Sequence, residues 1–160
     1  MNKHTILAVD DDPITRKILE IALQARNYPA QVVSSGQEAI SALQTGNFDI
    51  LITDLHMSEI DGFTVLEKTR ELSPSTIRIV ITSSQDVSAA IKAIEIGVDG
   101  YQLKPFSVGE LLFCIDRAMS KSESKRSKAV KNPKTSMVSL PGIKRSRPTD
   151  TDQPTIYLAE

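Results

Sequence analysis

Residues 7–13 read "LAVDDDP". An apolar strand runs into three successive acids, and the last acid is followed by proline. Asp12-Pro13 has the form of a helix N-cap with proline at the first helical position. The stretch is therefore a strand-to-helix junction with a carboxylate cluster at the carboxyl end of the strand. Such a cluster needs an explanation. Two ionised carboxylates about 5 Å apart at an effective dielectric of about 20 repel by roughly 3 kcal/mol. Either solvent keeps them apart or a cation joins them.

Outward from this junction, apolar runs alternate with helical patterns. "TILAV" (5–9), "AQVV" (30–33), "FDILIT" (48–53), "IRIVIT" (77–82) and "GYQL" (100–103) read as strands. The third and fourth are near-continuous apolar runs, the mark of strands buried on both faces. Helical periodicity links Ile14, Ile18, Ile21, Ala22 and Ala25, then Val87, Ala90, Ile91 and Ile94, then Val108, Leu111, Leu112, Ile115 and Met119. These sets are expected to be the buried stripes of three helices. Residues 37–45 and 62–72 complete the helical set. Gly46 and Gly97 stand where helix C-caps belong, and Pro74 closes the third helical region.

The order is βαβαβαβαβα. Alternation of this kind implies an α/β fold, a doubly wound five-stranded parallel sheet with helices on both faces. The flavodoxin-like strand order 2-1-3-4-5 suits it, and ligands in such sheets bind beyond the carboxyl ends of the strands. Those ends carry Asp10, Asp11 and Asp12 after the first strand, Asp54 after the third, Thr82 with Ser83 and Ser84 at the fourth, and Lys104 after the fifth. One crevice thus gathers carboxylates, a hydroxyl and a lysine. Clustered carboxylates form a hard oxygen site suited to Mg²⁺. A carboxylate beside that ion can act as a nucleophile toward phosphorus, and the ion and an ammonium group neutralise charge on the phosphoryl oxygens.

The pieces "VDDDP", "DILITDLHM", "DGFTVLE", "IVITSS" and "GVDGYQLKPF", in this order, resemble the receiver domain of two-component response regulators, chemotaxis-like single-domain receivers included. The resemblance covers residues 5–119. It implies Mg²⁺-dependent phosphorylation of Asp54 by a histidine kinase or histidine phosphotransfer protein. It implies that Asp10, Asp11 and Asp54 hold Mg²⁺ with the backbone carbonyl of His56. It makes Thr82 the switch hydroxyl, Lys104 the phosphate-contacting lysine, and Tyr101 the aromatic that moves on activation. The expected partners are that kinase or phosphotransfer protein, a downstream protein effector and a phosphorylation-dependent second copy. The sequence departs from the family's pattern at Ser58, where proline is common, and at Ser83, where alanine is common. His56 and Ser84 lie where such proteins tune dephosphorylation.

Two enzyme or carrier readings compete. Haloacid-dehalogenase-type phosphatases use an aspartyl-phosphate in a DxDx[TV] motif. Asp10 and Asp12 supply DxD, but Ile14 stands at the Thr/Val position, and the acidic pair expected after the lysine is missing beyond Lys104. An FMN carrier would need a hydroxyl- and glycine-rich first loop, and three acids would repel its phosphate. Neither fits as well, and the resemblance implies a phosphoacceptor that catalyses only its own phosphorylation and dephosphorylation.

Charge divides the chain. Residues 1–120 hold 10 Lys+Arg and 16 Asp+Glu, net −6, and residues 121–160 hold 9 and 4, net +5, which together give the overall −1. The expected organisation is a receiver over 1–120 and a basic Ser/Lys/Pro-rich disordered tail over 121–160, with no output domain in the chain. Solvation is the plain role for that tail. Contact with nucleic acid or an acidic membrane is the alternative, and a recognition motif at "PTIYLAE" is a further one. The N-terminus lacks a signal-peptide pattern, no apolar run is long enough to span a membrane, and the single Cys114 cannot form an internal disulfide. A cytoplasmic location follows as the expectation.

Overall fold

The computed structural model describes residues 3–83 and 85–131. Its elements follow the expected alternation: β1 (Ile6–Val9), α1 (Pro13–Ala25), β2 (Ala30–Val33), α2 (Gly36–Thr45), β3 (Ile50–Asp54), α3 (Gly62–Leu72), β4 (Ile77–Thr82), α4 (Val87–Ile96), β5 (Gly100–Leu103) and α5 (Val108–Lys131). All strand pairs are parallel, and the sheet order is β2-β1-β3-β4-β5. The expected architecture and strand order are those observed. β3 begins two residues later than "FDILIT" and includes Asp54.

The near-continuous apolar strands carry a hidden period of two. Ile6, Ala8, Ile50, Ile52, Ile77, Ile79 and Ile81 face one layer of core, with Leu19, Ala22 and Leu23 of α1 and Leu111, Ile115 and Ala118 of α5. Leu7, Val9, Leu51 and Val80 face the other layer, with Ala39 and Leu43 of α2, Val65 and Leu66 of α3, and Ala89 and Ala93 of α4. Burying one Ile or Leu side chain contributes about 1.5–3 kcal/mol, so the three central strands are a substantial source of hydrophobic stabilisation alongside the helix faces that cover them.

Two of the expected helical stripes are displaced. In α1 the buried residues are Thr15, Leu19, Ala22 and Leu23, while Ile14 and Ile21 are exposed. In α4 the buried residues are Ala89, Ala93 and Ile96, whereas Val87, Ile91 and Ile94 are 71%, 51% and 70% exposed. Small alanines let α4 lie close on the sheet, and Val87, Ile91 and Ile94 turn to solvent. In α5 the expected stripe holds, with Leu111 and Ile115 buried and Val108, Leu112 and Met119 packed at the margin.

The caps follow the sequence. Asp12 accepts from the Ile14 and Thr15 amides, and Gly97 ends α4 in the left-handed region at φ 90°. Gly46 ends α2 in extended backbone. At its C-terminal end the chain departs from expectation. The boundary drawn at 120 falls inside α5, and residues 121–131 continue that helix. Lys125 pairs with Asp99 at 3.1 Å, and Arg126 donates to the Ser75 carbonyl at 3.1 Å, so this basic segment is tied back to the body. Residues 132–160, including "PTIYLAE", and Ser84 lie outside the described residues. Among the described residues no helix is long and apolar enough to cross a membrane.

Candidate functional site

Four strand ends, those of β1, β3, β4 and β5, converge as the topology requires. β1 ends next to β3, where Val9 is in register with Thr53, and β3 ends next to β4, where Asp54 is in register with Ile81. Asp10 follows β1 directly, Asp54 closes β3, Thr82 closes β4 and Lys104 follows β5. The carboxylates of Asp10, Asp11 and Asp54 each offer an oxygen within 4.8 Å of the others. Asp10 is fully buried, Asp54 is buried, and Asp11 is exposed. The cluster is therefore half sunk into the sheet and open on one side.

Lys104 answers the repulsion in this state. Its ammonium lies 2.6 Å from Asp10 Oδ2 and 2.9 Å from Asp54 Oδ2. The contact with Asp54 is a hydrogen bond, while Asp10 Oδ2 has the ammonium as an ion-pair partner without hydrogen-bond geometry. Burial pushes the Asp10 carboxyl above its ordinary value and outweighs the contacts with Lys104 and the Asp12 amide. For Lys104, burial acts downward, but the contacts with the Asp10 and Asp54 carboxylates prevail and hold the ammonium above its ordinary value. The Lys104–Pro105 peptide is cis.

The backbone around Asp54 orients its carboxylate. Oδ1 accepts the His56 amide at 3.2 Å. The His56 side chain is exposed. Gly62, at the start of α3, donates its amide to the Leu55 carbonyl at 3.0 Å. A Cβ at Gly62 would stand 1.8 Å from the Asp54 carbonyl oxygen, so the close approach of α3 to the acceptor strand requires glycine there. Ser58 replaces the common proline and keeps an amide, which donates to Asp11 Oδ2 at 3.2 Å.

Thr82 is fully buried at the end of β4, and its carbonyl accepts the Lys104 amide at 2.9 Å. Tyr101 is half-buried on the edge strand β5, in register with Val80 and packed against the α2–α3–α4 side of the core. Burial first, then the charges of Asp86 and Asp54, push its phenol up. Ser83 is exposed. Cys114 is buried in α5, where burial pushes its thiol up, so it packs rather than reacts.

The structure thus brings together Asp10, Asp11, Asp54 and Lys104 by direct distances, and sets Thr82 at the end of β4 with Tyr101 on the neighbouring strand β5, level with Val80. The third acid of the cluster has another task. Asp12 Oδ2 accepts from both the amide and the hydroxyl of Thr15, at 2.9 and 2.7 Å, which removes it from a DxD pair. Arg16 joins the site without having been a candidate in the sequence. Its Nη1 donates to the carbonyl oxygens of Asp10 and Asp11, both at 2.9 Å. Its place one turn beyond the cap was the available signal. The donor set passes the test for a hard divalent cation. It offers three carboxylates, one of them buried with an oxygen lacking a hydrogen bond, on an oxygen-rich rim suited to Mg²⁺.

Residues 6–116 match the family model of the response regulator receiver domain. The chain is 32% identical over 126 residues to a probable transcriptional regulator, ycf27, of Cyanidium caldarium, covering 79% of this chain and 50% of that protein. It is 30% identical over 141 residues to the DNA-binding transcriptional regulator NtrC of Salmonella typhimurium, covering 86% of this chain and 30% of that protein. The chain thus spans half or less of the length of these curated relatives. Among solved structures it is similar to the signal receiver domain of an HD domain-containing protein from Pseudomonas fluorescens, with TM-score 0.71, 28% identity, and coverage of 77% of this chain and 99% of that one. It is also similar to the chemotaxis response regulator CheY4 of Vibrio cholerae, with TM-score 0.68, 26% identity, and coverage of 73% and 99%.

Proposed function

Because the chain belongs to the response regulator receiver domain family, we propose that it is a phosphorylation-controlled switch with Asp54 as phosphoacceptor. The observation that carries this is the Asp54 carboxylate itself. It sits at a strand's carboxyl end, oriented by the His56 amide and held by Lys104, within 4.8 Å of two further carboxylates. In the proposed transfer a carboxylate oxygen of Asp54 attacks the phosphorus of a phosphohistidine on a kinase or phosphotransfer protein. The P–O bond forms as the P–N bond breaks, and the imidazole leaves with the electron pair and takes a proton.

Asp10, Asp11, Asp54 and the backbone carbonyl of His56 would hold Mg²⁺, which when bound supplies positive charge against the phosphoryl oxygens. Lys104 supplies a second positive group. Its ammonium, which now bridges Asp10 and Asp54, turns to the phosphoryl oxygens once Asp54 is phosphorylated. Thr82 donates its hydroxyl to a phosphoryl oxygen. Tyr101 follows inward, and the surface of α4, β5 and α5 changes its preference for a downstream protein or a second copy. The same residues serve hydrolysis, in which water attacks the phosphorus, the bond to Asp54 breaks and inorganic phosphate leaves, so the protein is a phosphoacceptor with self-directed catalysis only. We place it in the cytoplasm and assign its output to protein contacts. Nucleic acid or membrane contact through the basic segment remains the weaker alternative.

The test is incubation with a small phosphodonor such as acetyl phosphate, with and without Mg²⁺, read by intact mass. Wild type is expected to gain one phosphoryl group in Mg²⁺ only, and Asp54→Ala none. An adduct of equal stoichiometry in Asp54→Ala sinks the assignment.

A further inference from the structure

We propose that Arg16 is a positioning residue for the ion-binding carboxylates, acting by clamping the two successive carbonyls of Asp10 and Asp11. The inference rests on the phosphoacceptor reading above. One guanidinium nitrogen, Nη1, reaches both oxygens at 2.9 Å. A charge-assisted donor bridging two adjacent peptides fixes both peptide planes, because each plane is itself rigid. With the planes fixed, the two Cα–Cβ directions are fixed as well. The carbonyls point toward α1, and the carboxylates are left to converge on Asp54.

The clamp is anchored in the helix. The Arg16 amide donates to the Asp12 carbonyl at 3.1 Å in the first helical turn, and Asp12 caps that turn. A side chain on this turn leans back toward the helix N-terminus, so the guanidinium of residue 16 falls on residues 10 and 11. The turn is held elsewhere by the Asp10 amide on the Val33 carbonyl at 3.3 Å and by the Asp12 amide on Asp10 Oδ1 at 2.8 Å. The second of those bonds lies in the peptide plane of the Asp11 carbonyl, but neither restrains the plane that joins Asp10 to Asp11, whose carbonyl oxygen Arg16 also holds. Asp11 is the exposed member of the cluster, so Arg16 matters most there.

Charge works against this role. A cation beside a cation site repels the incoming ion, so if charge alone counted, removing Arg16 would tighten Mg²⁺ binding. Positioning predicts the opposite sign. The experiment compares wild type, Arg16→Met and Arg16→Lys. Mg²⁺ affinity is read without phosphodonor from amide chemical shifts, and phosphorylation by acetyl phosphate is read across Mg²⁺ concentrations. Arg16→Met is expected to bind Mg²⁺ about tenfold more weakly, as loss of an orienting partner typically does. Arg16→Lys, which keeps a donor of shorter reach, should recover part of that loss. Phosphorylation by both variants should return close to the wild-type rate at saturating Mg²⁺. Unchanged or tighter Mg²⁺ binding in Arg16→Met overturns the proposal, as does a rate loss that saturating Mg²⁺ leaves in place. A purely structural role would lower the thermal midpoint without moving the Mg²⁺ affinity, which also overturns it. If Arg16→Met does not fold, Arg16→Lys carries the same comparison with charge and stem retained. Failure of the underlying reading looks different, since wild type itself then shows no Mg²⁺-dependent shift and takes no phosphate.

Discussion

A buried carboxylate next to two others is a local cost that the fold carries for its chemistry. Asp10 shows it most plainly. It is fully buried, and burial pushes its carboxyl above the ordinary value. The sign of the pH dependence follows. Where Asp10 is protonated in the folded protein and ionised in the unfolded chain, the native state binds more protons, and stability falls as pH rises from about 3.8 to the raised native value. Asn at this position keeps an oxygen for the Asp12 amide and carries no charge. Asp10→Asn is therefore expected to raise the thermal midpoint of the metal-free protein at pH 7. The gain should fade below about pH 4, where the wild-type carboxyl is protonated in both states. Melting curves across pH check this, and a lower midpoint for Asp10→Asn at pH 7 contradicts it. At this scale the sequence was informative about reacting groups, because a carboxylate or an ammonium at a strand end has few purely structural uses. It was silent about orienting groups. Arg16 acts through backbone carbonyls, Gly62 acts by lacking a side chain, and Ser58 acts through its amide. None of these is written in side-chain chemistry.

The helices show where a pattern fixes an element without fixing its rotation. Val87, Ile91 and Ile94 recur at helical spacing, and so do Ala89, Ala93 and Ile96, offset by two residues. Hydrophobicity favours the branched set, but the sheet receives the smaller one. Close approach of a helix to a twisted sheet rewards small side chains at the contact, and the sequence does not state which face meets which layer. The consequence is a sharp pair of predictions. Ile96→Ala removes side-chain volume from the core and should cost about 2–5 kcal/mol. Ile94→Ala, on the exposed face, should change stability by less than about 0.5 kcal/mol. Urea titrations of the two variants decide the rotation of α4, and similar losses in both would reject the one described. In α5 both criteria agree, because Leu111 and Ile115 are large and no small-residue stripe competes with them. Strands pose no such ambiguity. A run buried on both faces looks the same whichever face is counted, so the continuous stretches of β3 and β4 were legible at once.

Over the whole molecule, strand order and site are a single fact. Parallel pairing brings the carboxyl ends of β1, β3, β4 and β5 to one rim, and the residues at those ends needed only to be read off to be placed together. That is why the rim could be read before any distance was known. The same arrangement links folding to the ion. A ligand that binds only the native state adds stability as RT ln(1 + [L]/Kd), about 2.7 kcal/mol at a hundredfold excess over Kd. Mg²⁺ should therefore raise the thermal midpoint of wild type and leave Asp11→Ala nearly unmoved. A midpoint insensitive to Mg²⁺ in wild type would deny the site its ion. The domain boundary was less legible, because composition changes at residue 121 while helical backbone does not. α5 runs for 24 residues, about 36 Å at 1.5 Å per residue, and Lys125 and Arg126 moor its far half to the underside of the sheet. A rod moored at both ends transmits displacement along its length instead of bending. α5 starts at the rim, passes the strand that carries Tyr101 and reaches the loops that hold Asp99 and Ser75, so it ties the two rims of the sheet together mechanically.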